Sequence, residues 1–209
     1  MADKLDYKKE YKDLYMPKGP MLIDVPAMGF IMVDGKGAPE GDEYHNAMQA
    51  LYALTFTIKM SKMSGMQPEG YFEYVVPPLE GLWYGEKGDF ELGNRDEWLW
   101  VSMIRQPEFV TEVVFSWAAD ECRRKKPEVD ISKARFEIFT EGLCVQAMHR
   151  GPYSEEPATI ELLHRFIEES GLRNMTGRER KHHEIYLGDP RKCAPEKLRT
   201  VLRLPVERI

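Results

Sequence analysis

The chain has 209 residues, of which 43% are hydrophobic and 31% are charged, and its formal net charge is -6. This composition is sufficient for a packed core and excludes an unfolded tail. The acidic balance, with Lys and Arg scattered along the chain, also excludes a surface built to hold nucleic acid, because phosphate binding needs a concentrated positive patch.

The sequence contains no apolar stretch of membrane-spanning length, and its N-terminal residues do not resemble a signal peptide. The three cysteines, Cys122, Cys144 and Cys193, lie far apart and show no paired spacing. This pattern predicts neither a disulfide framework nor a zinc site. We therefore expect a cytoplasmic protein with no membrane partner, no metal and no cofactor.

The first half of the chain alternates predicted strands and helices after an N-terminal extension, residues 1–19. Pro26 and Gly29 interrupt the β-branched segment 21–34, which predicts two short strands there. Hydrophobic spacing then predicts four further elements. They are a helix over about 42–63, strands at 71–76 and 97–105, and a helix from Pro107 to the basic residues 123–126.

The second half repeats this order, with strands at 135–140 and 143–150, a helix over 156–170, and strands at 182–187 and 200–206. Three pairs of short segments match between the halves in the same order, among them Glu73 with Glu184. We therefore predict an α+β fold of two pseudo-twofold-related repeats, about 20–126 and 127–209. Its strands are expected to be antiparallel, with helices on one face and a ligand groove on the other.

Each predicted strand has two faces, because side chains alternate across a strand. One face is mainly aliphatic and is expected under the helices. The other mixes Trp, Tyr, Met and Glu, which is typical of the wall of a ligand pocket, although core packing or simple surface cover is the alternative. The candidate ligand-binding residues are Glu184, Trp83, Tyr84, Trp100, Tyr71, Tyr186, Tyr153 and Met148.

Three stretches of the chain carry a family resemblance. The segment 149–156, with its Gly-Pro-Tyr turn, precedes a predicted helix and Glu184-Ile185-Tyr186-Leu187, and this order resembles the second half of GyrI-like ligand-binding domains. The runs 78–84 and 182–192 resemble a stand-alone bacterial branch of that family. The resemblance extends from about Pro20 to the C-terminus. It implies two related α+β repeats with a ligand groove between them, and a groove carboxylate at Glu184.

The same resemblance implies three functions. The main hypothesis is binding of lipophilic aromatic, cationic small molecules in drug or toxin resistance, with Glu184 as countercharge. The first alternative is a cofactor-independent hydrolase that opens the cyclopropane of alkylating natural products. Glu184 would then be the general base. The internal repeat, and not the resemblance, adds Glu73 beside it, and Tyr84 or Tyr153 would donate a hydrogen bond to the oxygen that gains charge. The second alternative is a protein-interaction module such as a gyrase inhibitor.

Overall fold

The computed structural model describes residues 4–85 and 95–209. Its strands are β1 (Met21–Lys36), β2 (Leu79–Tyr84), β3 (Leu99–Arg105), β4 (Ala134–Arg150), β5 (Leu172–Asn174), β6 (His182–Tyr186) and β7 (Arg199–Arg208). Its helices are α1 (Tyr7–Glu10), α2 (Lys12–Tyr15), α3 (Asp42–Lys59), α4 (Glu112–Lys125) and α5 (Glu156–Glu169). The predicted α+β class is confirmed.

The strands form one antiparallel sheet in the order β4-β1-β3-β2-β6-β7-β5. Strand β4 also pairs with β7, so six strands close into a barrel-like ring. The succession of strand, long helix and two strands occurs twice, as β1-α3-β2-β3 and as β4-α5-β6-β7, with the short β5 inserted after α5 in the second half. Strands β2 and β6 lie side by side where the two halves meet.

The predicted break in the segment 21–34 is wrong, because β1 runs through both Pro26 and Gly29. Pro26 lies in the part of β1 that has β4 as its only partner, where a missing N–H is tolerated. The predicted break between 140 and 143 is also wrong. Gly142 adopts φ 74°, which glycine takes without steric cost, and β4 continues through it.

The predicted strand at 71–76 is wrong as well, because this segment forms only an isolated bridge between Leu5 and Tyr74. Strand β2 takes the position in the first half that β6 takes in the second, since each pairs with the last strand of its half. The match of Glu73 with Glu184 therefore fails. Glu73 lies outside the sheet and forms an ion pair with Lys62.

The helices differ from the expectation in the face they cover. Tyr44 of α3 stacks on Trp83, with ring centroids 6.0 Å apart, and Leu163 of α5 packs with Leu202. The strand register places Trp83 and Leu202 on the same face as Glu184. The helices therefore border the polar and aromatic face instead of the aliphatic one.

The opposite face lines the barrel interior and contains a buried charged group, which we call the interior cluster: Glu80, Glu141, His183 and Arg203. Arg203 donates to Glu141 over 2.7 Å and to the Leu14 carbonyl over 3.0 Å. The N-terminal extension is consequently packed against the barrel, and Tyr7 and Tyr15 are buried.

Candidate functional site

Glu184 is the centre of a hydrogen-bonded chain on the helix-covered face of β6. Its side chain is buried, at 9% residue exposure. The Tyr186 hydroxyl donates to one carboxylate oxygen over 2.7 Å, and His182 Nε2 lies 3.1 Å from the other. Trp83 Nε1 in turn donates to the Tyr186 hydroxyl over 2.8 Å. Both carboxylate oxygens are therefore held by neighbours on β6 itself, and Trp83 of β2 supports one of these neighbours, Tyr186.

The strand register explains why this chain forms. Gly81 pairs with Glu184, and Trp83 pairs with His182, so all of these residues face the same side. A Cβ at Gly81 would lie 2.8 Å from Trp83 Nε1 and 3.2 Å from the Tyr186 hydroxyl. Glycine leaves the space above β2 in which the two side chains meet.

Five rings surround this carboxylate and form what we call the aromatic cluster: Tyr44, Trp83, Trp100, Tyr153 and Tyr186. Tyr44 meets Trp100 edge to face at 5.1 Å, and Tyr153 meets Tyr186 edge to face at 6.1 Å. Trp100 is fully buried and donates to the Gly37 carbonyl over 3.1 Å. Tyr153, at 39% exposure, is the most accessible ring of the five.

Glu156, in the first turn of α5, is a second buried carboxyl beside Glu184. Burial and the charge of Glu184 raise the pKa of Glu156 to about 9, while the adjacent Thr200 hydroxyl lowers it. Glu156 therefore carries a proton at neutral pH. Two carboxyl groups therefore share the site, and Glu156 is one that holds a proton.

The interior cluster lies on the other side of β6 and has different electrostatics. Burial raises the pKa of Glu141, but His183 and Arg203 outweigh this effect and hold it at about 2. Burial lowers the pKa of His183, but Glu141 and Glu80 outweigh this effect and raise it to about 8. The charges of the interior cluster therefore compensate one another inside the barrel.

The structure brings Glu184, Trp83, Trp100, Tyr186 and Tyr153 together and places the other candidates elsewhere. The Tyr84 side chain points to the opposite side of β2 from Trp83, with Lys181 Nζ 4.9 Å from its ring centroid. Tyr71 packs against Phe109 and donates to the Lys59 carbonyl. Met148 pairs with Val201 on the barrel-interior side of β4. Glu73 pairs with Lys62, as described above.

Sequence reasoning missed Tyr44 and Glu156, both of which come from helices. Tyr44 shares a helix side with the buried Ala47 and Leu51, and Glu156 lies on the stripe of Leu163 and Ile167. The sequence signal was therefore a polar group at helical spacing on an apolar stripe.

Two cavities lie elsewhere on the molecule. One of about 580 Å³ lies beside the Gly151 turn and is lined by His149, Ser154 and Thr159, among others. Another of about 220 Å³ lies between α3 and β1. Glu184 lines neither cavity. Of the five rings in the aromatic cluster, Tyr153 is the most exposed.

Within the described ranges, no helix has the length and apolarity to span a membrane. Across residues 4–85 and 95–209, no group of three or more His, Cys, Asp or Glu side chains is arranged to hold a metal ion. The side chains around Glu184 supply carboxyl, phenol, indole and imidazole groups.

Comparisons with known proteins agree with this architecture. The crystal structure of an uncharacterized conserved protein from Listeria innocua shares 57% identity with this chain, covers 98% of it and 100% of its own chain, and has a TM-score of 0.94. The crystal structure of a hydrolase from Listeria innocua shares 55% identity with the same coverage and a TM-score of 0.90. The EcmrR C-terminal domain shares the fold, with 13% identity, a TM-score of 0.52, and coverage of 91% of this chain and 98% of that domain.

Among curated proteins, no match to this chain was found. The family of GyrI-like small molecule binding domains, however, matches residues 19–207, which is nearly the whole chain. The chain therefore belongs to the GyrI-like small molecule binding domain family.

Proposed function

We propose that this chain binds lipophilic aromatic small molecules, with a preference for cations, at the aromatic cluster around Glu184. The observation that carries the proposal is a carboxylate at 9% exposure, walled by rings. Within the described part of the chain, neither Lys nor Arg lies within ion-pair distance of Glu184, and the basic side chain beside it is His182, 3.1 Å away. A buried carboxylate that lacks a Lys or Arg partner is costly, and a cationic ligand offsets that cost.

The rings supply the second part of the binding energy. Offset or edge-to-face contact with an aromatic ligand contributes about 0.5–1.5 kcal/mol for each ring pair. A desolvated cation over Trp83 or Tyr44 adds about 2 kcal/mol. Entry past Tyr153 requires this ring to move, and its exposure makes that movement cheap. A protein that sequesters such compounds would lower their free concentration and confer resistance to drugs or toxins.

Binding of the cationic dye rhodamine 6G, followed by fluorescence polarisation, tests this proposal. Glu184→Gln keeps the shape of the site but removes its charge, and we expect a Kd about tenfold higher. Glu73→Gln is the matched control, because Glu73 lies outside the sheet in an exposed ion pair, and its Kd should equal that of the wild type. An unchanged Kd in Glu184→Gln would contradict the proposal.

A second candidate function is hydrolysis of a strained electrophile held at the same site. Two observations favour it. A neutral carboxylic acid, Glu156, lies beside Glu184, and environments that separate two carboxyl groups in this way suit acid–base work. In addition, a relative with 55% identity over the whole chain is described as a hydrolase.

In this reaction Glu184 takes a proton from water while the water oxygen bonds to a cyclopropane carbon. The breaking C–C bond gives its electron pair to a conjugated ring carbonyl. The carbonyl oxygen becomes a phenol by protonation, with Tyr153 donating a hydrogen bond to it. Water has then been added across the opened ring, and the proton on Glu184 returns to solvent.

Spiro[2.5]octa-4,7-dien-6-one is a suitable probe, because water opens its ring to 4-(2-hydroxyethyl)phenol. Many product molecules per protein molecule, lost in Glu184→Gln, would establish catalysis. Binding of the dye without any acceleration of this ring opening over buffer would exclude hydrolysis of this class and leave the binding function.

A further inference from the structure

Glu156 has a buried oxygen atom, Oε1, that meets no hydrogen-bond geometry within residues 4–85 and 95–209, and the hydroxyl of the adjacent Thr200 is likewise unpaired. The residue is 7% exposed, so the carboxyl group cannot turn to bulk water. Buried polar atoms in native proteins are nearly always paired, and an unpaired one indicates a site that a ligand or water completes.

The titratable groups that face Glu156 include Glu184 and Tyr186 on β6, and Tyr153 just before α5, with Tyr44 of α3 next to Glu184. Two histidines lie on the same face: His182 is 3.1 Å from Glu184, and His149 pairs with Thr200 across β4 and β7. The acidic neighbour and burial keep a proton on Glu156, so its carboxyl group is a donor at neutral pH. Burial raises the pKa of Tyr153 to about 12 and that of Tyr186 further, so neither phenol ionises in the range where Glu156 does.

We infer that Glu156 donates a hydrogen bond to an acceptor oxygen of the ligand, so that the domain selects aromatic ligands bearing a carbonyl group. This inference rests on the proposed function, because it places the ligand between Glu156 and the aromatic cluster. Glu184 attracts the positive or electrophilic part of the ligand, and Glu156 recognises an electron-rich oxygen on the same molecule. A ligand without such an oxygen leaves the carboxyl group unpaired and loses affinity.

Two probes that differ only in the acceptor test the inference: the trimethylammoniomethyl derivatives of 9-fluorenone and of fluorene. Both are flat cations whose charge does not titrate, but only the first has a carbonyl. Equilibrium dialysis gives the ratio of their Kd values, from which any general effect of pH on cation binding cancels. For the wild type at pH 7 we expect the fluorenone derivative to bind about tenfold more tightly.

The variants and the pH series assign the preference to Glu156. Above pH 10 the wild type loses its donor, and the ratio should approach one. Glu156→Gln should keep the preference at both pH values, because its amide donates without titrating. Glu156→Met, which has no donor, should lose it at both. Circular dichroism checks that each variant is folded, and the wild-type pH series is independent of the variants.

Equal Kd values for the two probes in the wild type at pH 7, or a preference that survives in Glu156→Met, would overturn the inference while leaving the proposed function intact. If neither probe binds to the wild type, the proposed function fails and the inference fails with it.

Discussion

Gly81→Ala is the substitution that addresses the site most directly without removing any of its functional groups. Gly81 pairs with Glu184 across β2 and β6. An added Cβ would lie 2.8 Å from Trp83 Nε1 and 3.2 Å from the Tyr186 hydroxyl, so at least one of these side chains must move. The hydrogen bonds from Trp83 to Tyr186 and from Tyr186 to Glu184 would then lengthen or break.

The magnitude follows from two contributions. Forcing an extra methyl group into a packed site costs about 1–3 kcal/mol. Weakening a hydrogen bond to a buried carboxylate costs about 1.5–3 kcal/mol. Because movement of Tyr186 relieves part of the overlap, we expect the free energy of unfolding to fall by about 3 kcal/mol. With a urea m-value of about 2 kcal/mol/M, the midpoint should fall by about 1.5 M.

Urea unfolding followed by tryptophan fluorescence measures this change, and Gly19→Ala is the matched control. A Cβ at Gly19 meets no atom within 4 Å, and the backbone of Gly19 does not adopt a positive φ. The control therefore reports only the entropy effect of replacing glycine, which slightly stabilises the protein. Rhodamine 6G binding should also weaken in Gly81→Ala and remain unchanged in Gly19→Ala. If Gly81→Ala unfolds at the same urea midpoint as the control and binds the dye with unchanged affinity, then neither stability nor binding requires the close approach of Trp83 and Tyr186 above Gly81.

Three further predictions concern the packing and the charges. Gly35→Ala should cost about 3 kcal/mol in urea unfolding, because the new Cβ would lie 2.1 Å from the Trp100 ring. Glu156→Gln should stabilise the protein by about 1–3 kcal/mol, and the gain should grow from pH 5 to pH 9. The reason is that the raised pKa of Glu156 costs the wild type stability once the pH exceeds the pKa of this group in the unfolded state. A difference in unfolding free energy that does not depend on pH would contradict this. Arg203→Met should lower the free energy of unfolding by about 3–5 kcal/mol near pH 7, because it leaves the buried charge of Glu141 without its Arg partner. The cost should be smaller in acid, because the Glu141 charge, with a pKa of about 2, is fully present above about pH 4.5 and is lost as the pH falls towards 2. Unfolding midpoints of the variant and the wild type across pH 2–7 measure this cost.

Part of the site could be predicted from the sequence because it depends on a local rule. Alternation along β6 places Glu184 and Tyr186 on one face, and the structure agrees. Alternation also assigns Ile185 to the opposite face, where it is buried in the core. The rule needs only that a segment be a strand, which is why it succeeds there.

The same rule failed where the strand itself was wrongly predicted or where the neighbouring elements decide the environment. Residues 71–76 have the composition of a strand, but the sheet uses β2, whose Gly81 weakens the strand signal and is required by packing. His183 alternates with the aliphatic residues, yet the closed barrel buries it among Glu80, Glu141 and Arg203. Barrel closure is a long-range pairing of β4 with β7, which no local pattern reveals.

The helical contributions to the site also lay beyond local reasoning. Hydrophobic spacing identified α3 and α5 but not the face of the sheet on which they lie. Tyr44 and Glu156 join the site only because both helices cover the face of Glu184. An acidic residue at the start of a helix is ordinarily explained by its favourable interaction with the helix dipole. This explanation gave no reason to predict that Glu156 is buried.

The central claim is that ligands bind over Glu184 among the rings of the aromatic cluster. Intermolecular nuclear Overhauser effects between bound rhodamine 6G and the isotope-labelled protein test it most directly. The account predicts contacts from the dye to ring protons of Tyr44, Trp83 and Tyr186. Contacts confined to the open cavity beside Gly151, or to the exposed rings of Tyr52 and Phe56, would contradict it.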